Sequence, residues 1–287
     1  FGDTNCNISE LKEILEQNGF SMQKKFGQNF LTNGDARKKI IDALDVKEGT
    51  TVWEIGPGLG TLTKYLLERA GKVVCNELDE RMISILKDRF FMYDNLEIIN
   101  EDVLKLDLEN IIEENTLNTN NVKIVANLPY YITTPIVMKL LEDKLNIDSI
   151  TVMVQKEVAD RLIEIPGNKN TGAITYTVFY YAEAENVRLV DRSSFVPEPS
   201  VESEVINLKI RKNPPVDVKD KELLFKLIKV AFLQRRKTLV NAVTNFPGLD
   251  YSKEDMEKAL AELNISDKIR GEALSLQQFA ALSNILT

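Results

Sequence analysis

Between residues 50 and about 155, short apolar runs alternate with segments whose apolar positions recur every three or four residues. "TVWEIG", "KVVCNEL", "LEIINED", "KIVANL" and "SITVMV" read as buried strands, with "GTLTKYLLERA", "DERMISILKDRF" and "TPIVMKLLED" as helices among them. Strands that are apolar without alternation are covered on both faces, and the intervening helices supply that cover. The pattern predicts an α/β fold, a mostly parallel sheet with helices on both faces. Right-handed crossovers would gather the carboxyl ends of its strands on one edge, where ligands bind. Farther along, "GAITYTVFYYAEAENVRLV" and "SEVINLKI" are β-rich and are expected to be later strands, partly antiparallel. "RKNPPVD" (211–217) is a proline-bearing linker. Beyond it, "KELLFKLIKVAFLQRRKTLVNAV", "SKEDMEKALAEL" and "SLQQFAALSNIL" have helical periodicity, with Ser252 and Ser275 placed as N-caps of the last two. Two domains are expected: a ligand-binding domain over residues 1–212 and a small all-α domain over residues 213–287.

Composition narrows the chemistry. The 287 residues include no histidine, which removes Ser-His-Asp triads, imidazole acid–base catalysis and most zinc sites; no metal is expected. Cys6 and Cys75 are the two cysteines, one near the N-terminus and one inside an apolar run, so a disulfide is not expected. No apolar run has the length to span a bilayer, and the acidic N-terminal segment lacks an apolar signal core. A cytoplasmic monomer is expected. The first residue is Phe1 rather than Met, which points to a trimmed N-terminus. The net charge of −8 hides a segregation: residues 1–208 hold 22 basic and 34 acidic residues, whereas residues 209–240 hold 10 basic and 3 acidic. A basic segment beside an acidic domain suits a face that meets an anionic polymer.

"WEIGPGLGTLT" places Gly56, Gly58 and Gly60 between a strand and a helix, where backbone amides can approach a ligand closely. Alone this fits several nucleotide cofactors. Glu77 ends the next strand and is placed to accept both hydroxyls of a ribose; Asp102 ends the third and is placed to accept from an adenine amine, with Val103 flanking the base. Three such strand ends point to an adenosyl ligand. The spacing GxGxG, rather than GxGxxG, offers nothing arranged for a pyrophosphate, and favours S-adenosylmethionine over a dinucleotide. Glu54 is expected near the charged amino-acid end of that ligand.

"VANLPYYITTP" (125–135) then ends a fourth buried strand on a polar amide and stiffens the next turn with Pro129. The Asn127 side-chain oxygen and the Leu128 carbonyl, held by Pro129, would form two acceptors converging on one point. Such a pair suits an aromatic amine whose lone pair is delocalised: gripping both N–H bonds favours a pyramidal nitrogen aimed at a methyl sulfonium. Tyr130 would stack on the base that carries the amine.

"KKFGQNFLTN", "EIGPGLGTLT", "NELD", "NEDVLKLD", "NLPYYITTPI" and "FVPEPSVESEV", in that order over nearly the whole chain, resemble the ribosomal RNA adenine dimethyltransferases of the small-subunit type. The resemblance implies a Rossmann-like, class I S-adenosylmethionine-dependent methyltransferase, with S-adenosylhomocysteine as product. It implies cofactor contacts at Gln28, Asn29, Leu31, Gly56, Gly58, Glu77, Leu78, Asp102, Val103 and Asn127. It also implies a methyl-transfer motif of Asn127, Leu128, Pro129 and Tyr130, with Phe195 stacking on the target adenine from the other side. The substrate it implies is a pair of adjacent adenosines in the hairpin near the 3′ end of 16S rRNA, within an immature 30S particle. Lys24, Lys25, Arg235, Arg236 and Lys237 are candidate phosphate contacts, the last three on an apolar helix face within the helical domain. The 23S rRNA methyltransferases that confer macrolide resistance share fold, cofactor and chemistry, but "GQNF", NLPY and the longer C-terminal region favour the small-subunit type. A non-catalytic RNA-binding assembly factor is the alternative from another class.

Overall fold

The computed structural model describes residues 8–19, 30–115, 121–128 and 130–287. Cys6, Lys24, Lys25, Gln28, Asn29 and Pro129 lie outside the described residues. In chain order the elements are α1 (Ile8–Gln17), β1 (Phe30–Leu31), α2 (Gly34–Leu44), β2 (Thr51–Ile55), α3 (Thr63–Arg69), β3 (Lys72–Asn76) and α4 (Glu80–Arg89). They continue with β4 (Leu96–Ile99), α5 (Leu108–Asn115), β5 (Val122–Asn127), α6 (Tyr130–Glu142), β6 (Ser149–Gln155), α7 (Lys156–Ile163) and α8 (Ala173–Tyr181). The last are β7 (Ala182–Val190), β8 (Phe195–Val196), β9 (Ser203–Ile210), α9 (Lys221–Leu233), α10 (Leu239–Thr244), α11 (Lys253–Glu262) and α12 (Leu276–Leu286).

Seven strands form one sheet in the order β4-β3-β2-β5-β6-β9-β7. The first five run parallel and β9 is antiparallel to β6, the mixed closure expected from "SEVINLKI". Every residue of β2 is buried, which is why its run is apolar without alternation, whereas the edge strand β4 is only partly buried. Register matters more to the site than length does. Ile55 pairs with Asn76 and with Ala126, and Asn76 pairs with Ile99, so β2, β3, β4 and β5 end nearly level. The residues that follow Ile55, Asn76 and Ile99, together with Asn127 at the end of β5, therefore emerge along one edge. β1 and β8 form a separate antiparallel pair, with Phe30 opposite Val196 and Leu31 opposite Phe195. The pair is fastened by Thr32, whose N–H and Oγ1 donate to the Ser194 carbonyl at 2.8 and 2.9 Å, and by Asn33 Nδ2 on Ser194 Oγ at 2.9 Å.

The chain divides into two compact units, Phe1–Ala159 with Ala184–Ile210, and Asp160–Glu183 with Arg211–Thr287. This differs from a boundary at 212/213 chiefly in that residues 160–183 group with the C-terminal helices, and the later boundary falls at 210/211. The same segment corrects the reading of "GAITYTVFYY" as a strand, since Ala173–Tyr181 is helix α8. Tyr176, Val178 and Tyr180 are all buried, and Tyr176 and Tyr180 share a core with Leu224, Leu227, Leu274 and Phe279. A helix enclosed on most sides shows no polar stripe, and its β-branched and aromatic residues then imitate a strand. The Gly172 N–H donates to Thr175 Oγ1 at 3.0 Å, and that hydroxyl donates to the Arg161 carbonyl at 2.7 Å, fixing the helix start. Ser252 and Ser275 cap α11 and α12 as expected, each in a reciprocal capping box.

Within the helical unit the Tyr176 hydroxyl donates to the Leu274 carbonyl at 2.6 Å, and burial pushes its pKa up to about 12. The ring meets Phe232 and Phe279 at centroid distances of 5.4 and 5.3 Å. Tyr176→Phe keeps the ring and orphans a buried carbonyl, so it should destabilise this unit by roughly 1–3 kcal/mol in urea denaturation. A variant as stable as the parent would show that the bond contributes nothing.

Candidate active site

The level strand ends open into a cavity of about 340 Å³ on the first unit. Gly56 and Gly58 follow β2, Glu77 and Leu78 follow β3, Asp102 and Val103 follow β4, and Asn127 and Leu128 close β5; all eight line it. Phe30 and Leu31 from β1 and Phe195 from β8 complete the wall, because the β1–β8 pair brings these distant segments together. Of the expected site residues, Leu31, Gly56, Gly58, Glu77, Leu78, Asp102, Val103, Asn127, Leu128 and Phe195 thus line one cavity.

Gly56 adopts φ +73°, and a Cβ there would lie 2.8 Å from Leu128 Cδ2 and 3.0 Å from the Asn127 carbonyl oxygen. Both the left-handed backbone and the close approach require glycine. The Glu77 carboxylate is held in place by backbone amides: Oε1 accepts from the Leu78 and Asp79 N–H groups at 3.0 and 3.1 Å, and Oε2 meets the Gly58 N–H at 3.4 Å. Burial pushes its pKa up, against the pull of those amides. Asn76 Nδ2 donates to the Ile99 and Glu101 carbonyls at 3.3 and 2.8 Å, tying β3 to the loop after β4. With its amide turned to suit its neighbours, Asn100 Nδ2 donates to the Glu77 and Leu78 carbonyls at 3.1 and 3.2 Å. Asp102 Oδ1 accepts from the Leu104 N–H at 3.0 Å, capping the short turn that carries Val103. Asp102 is thus a turn cap that also faces the cavity.

Three sequence expectations change. Glu54 does not line the cavity: it is buried in β2, where Thr63 Oγ1 donates to its Oε1 and Cys75 Sγ approaches at 3.6 Å. Burial, with a smaller push from Glu77, raises its pKa to about 7. Its place one residue short of the strand end turns it into the sheet instead of into the opening. Phe195, expected to be a stacking residue rather than a core aromatic, is a core aromatic at 3% exposure that also lines the cavity. Finally, α9 stops at Leu233, so Arg235, Arg236 and Lys237 sit in the turn before α10 and not on a helix. Arg235 Nε donates to Glu272 Oε2 at 2.9 Å and its Nη2 donates to the Thr171 carbonyl, which makes it a brace within the helical unit.

The sequence reading missed Phe30, Leu104, Tyr131 and Ile132, which also line the cavity, and the ties made by Asn76 and Asn100. Phe30 stood in plain view between Asn29 and Leu31; the others carry no spacing signal. Among the described residues, no group of three or more His, Cys, Asp or Glu is arranged to hold a metal ion, and no helix is long and apolar enough to cross a membrane.

A model of the family described as ribosomal RNA adenine dimethylase matches residues 19–287. Ribosomal RNA small subunit methyltransferase A of Geobacillus sp. (strain WCH70) is 48% identical over 276 residues, covering 96% of this chain and 95% of the relative. The protein of the same name in Lachnoclostridium phytofermentans is 49% identical over 275 residues, covering 96% and 94%. Among solved structures, a dimethyladenosine transferase from Plasmodium falciparum is similar with a TM-score of 0.73 at 28% identity, covering 88% of this chain and 95% of that one. The 23S rRNA methyltransferase ErmE is similar with a TM-score of 0.68 at 25% identity, covering 90% and 99%.

The buried Glu54 carboxyl gives the fold a pH dependence of definite sign. Its folded pKa lies above the usual 4.5, so the folded state holds the proton more tightly than the unfolded chain. Its contribution is fully present below pH 4.5 and is lost as pH rises through about 7. Glu54→Gln removes this loss, so the stability of the variant relative to the parent should rise across that window, by on the order of 3 kcal/mol in total. Urea denaturation at several pH values measures it, and parallel profiles would contradict the assignment.

Proposed function

The chain belongs to the ribosomal RNA adenine dimethylase family, and from that premise we propose that it dimethylates the N6 amines of two adjacent adenosines in the hairpin near the 3′ end of 16S rRNA. S-adenosylmethionine is the methyl donor, and the enzyme acts in the cytoplasm, as a monomer, on a 30S precursor during small-subunit biogenesis. One convergence supports this reading above all: the acceptors at 127 and 128 border the same cavity as the glycine turn, Glu77 and Asp102.

That cavity fits the donor. Its volume suits a nucleoside with an amino-acid arm. Glu77 Oε2, with only the long Gly58 contact, has capacity for ribose hydroxyls, while Leu78 and Val103 provide apolar faces for a purine. Gly56 and Gly58 bring backbone close to the arm, and Asp102, Leu31, Asn29 and the adjacent Gln28 complete the set we assign to the donor. When bound, S-adenosylmethionine supplies an electrophilic methyl group on a sulfonium.

The chain's own part is positioning and electrostatics. An N6 amine is a weak nucleophile because its lone pair is shared with the ring. The Asn127 side-chain oxygen and the Leu128 carbonyl accept its two N–H bonds, favour the pyramidal nitrogen and direct the lone pair out of the ring plane. Pro129 fixes the second acceptor. Tyr130 and Phe195 stack on the two faces of the extruded adenine. None of these roles needs an imidazole, in keeping with a chain that has no histidine. In the helical domain, Arg236 and Lys237, both exposed, hold phosphates, with Lys24 and Lys25 assisting from the N-terminal motif.

The relatives near half identity carry the small-subunit name, whereas ErmE stands at 25%. Labelled-methyl transfer should accordingly appear on undermethylated small-subunit particles and not on deproteinised 23S RNA, with dimethyladenosine among the mapped nucleosides. The reverse preference would overturn the substrate assignment. Asn127→Ala should lower kcat roughly 10²- to 10³-fold, with affinity for S-adenosylmethionine little changed in calorimetry. Wild-type rates would remove Asn127 from the chemistry. Arg236→Ala with Lys237→Ala should weaken particle binding and shallow its salt dependence by about one unit of log–log slope per residue, whereas an unchanged slope would leave both as solvated surface.

A further inference from the structure

An aromatic ring stands at the mouth of the cavity with no part in the roles above. Tyr131 is 77% exposed and still lines the cavity. It is the second residue of α6, whose Thr133, Ile136 and Val137 are buried in the core. On a helix, residue 131 lies well away from the face set by those three, so the ring points outward because of its position in the turn and not for want of space. α6 packs against the short turn carrying Leu104, which is itself 39% exposed and lines the same cavity. Leu78, 60% exposed, borders the cavity from the end of β3. Leu78, Leu104 and Tyr131 thus give the rim exposed apolar side chains, and Tyr131 is the most exposed aromatic among the described residues that line the cavity.

Large apolar side chains grouped around one opening mark a recognition surface. The rim's chemistry favours a nucleobase over a protein anchor: an exposed π-face beside a pocket read as an adenine site is what a stacked base requires. The geometry points to Tyr131 as the platform for the nucleotide next to the target adenosine. This deepens the reading given above and rests on it. Drawing the target base out of its stack leaves the neighbouring base with one bare face. A ring already exposed at the rim covers that face, and a tyrosine does so at small entropic cost because it has few rotamers to lose. The contribution belongs to RNA binding, is insensitive to salt, and does not touch the donor.

The test uses the full chain, S-adenosylmethionine, and small-subunit particles reconstituted either on normal RNA or on RNA with an abasic site beside the target adenosine. Tyr131→Ala should raise KM for normal particles roughly 5- to 150-fold, leaving S-adenosylmethionine affinity and the salt slope of particle binding unchanged. Tyr131→Phe should restore most of the loss. On abasic particles, Tyr131→Ala and the parent should behave alike, because the base that the ring covers is gone. An unchanged KM, a Phe variant as poor as Ala, or a defect that persists on abasic particles would overturn the platform. Loss of S-adenosylmethionine affinity in Tyr131→Ala would overturn it too, by showing that the ring covers the donor. Failure of the underlying reading looks different: the unsubstituted protein would then transfer no methyl to normal particles, and the platform would fall with it.

Discussion

A side chain on Gly56 would have to occupy space already filled by Leu128 Cδ2 and by the Asn127 carbonyl, 2.8 and 3.0 Å away. β2 and β5 are neighbours in the sheet, and their ends close together only because the first residue after β2 has no Cβ. This contact sets the distance between the glycine turn and the amide–carbonyl pair. A wider gap would leave both elements intact but would separate the glycine turn from Asn127 and Leu128 on the cavity wall. The level ends of the parallel strands do the rest, delivering Glu77 and Asp102 to the same opening without long loops. Precision here comes from rigid strand ends and backbone, the arrangement that suits chemistry run by positioning.

The same economy extends beneath the cavity. Glu54, one residue before the end of β2, is buried with Thr63 donating to it and lies close to Cys75. A carboxyl with a pKa of about 7 in such a place invites a catalytic interpretation. Geometry argues otherwise: it does not border the cavity, and its hydroxyl partner locks the first turn of α3 to β2. It is a structural acid whose shifted titration follows from burial. Glu77 shows the contrast, since its carboxylate borders the cavity and is steadied by backbone amides of the loop it opens.

Much of this was legible in the sequence because parallel strands write themselves as unbroken apolar runs and because strand ends fall where those runs stop. That is enough to place Gly56, Glu77, Asp102 and Asn127 on one edge without coordinates. Three things were not legible. Helix α8 hid among β-branched and aromatic residues because its burial erased the polar stripe that marks a helix. The break between α9 and α10 was invisible because "QRRKT" contains neither Gly nor Pro, so a continuous periodicity ran through what is a turn. Arg235 looked like its neighbours in sequence, but Glu272 and the Thr171 carbonyl, far away along the chain, decide its role. Contacts between segments distant in sequence leave no local trace.

The β1–β8 pair shows what such distant contacts achieve. Two residues from the N-terminal motif and two from the segment before the last strand make only a short ladder, far too little to be stable alone. Thr32 and Asn33 compensate by bonding side chains and backbone to Ser194, so the ladder is held at its flank instead of along its length. Leu31 and Phe195, directly opposed in this pair, enter the core together and present to the cavity together. A wall built this way is stiff where it meets the sheet and carries little secondary structure of its own. It can therefore border the opening while keeping the aromatic ring of Phe195 packed in the core.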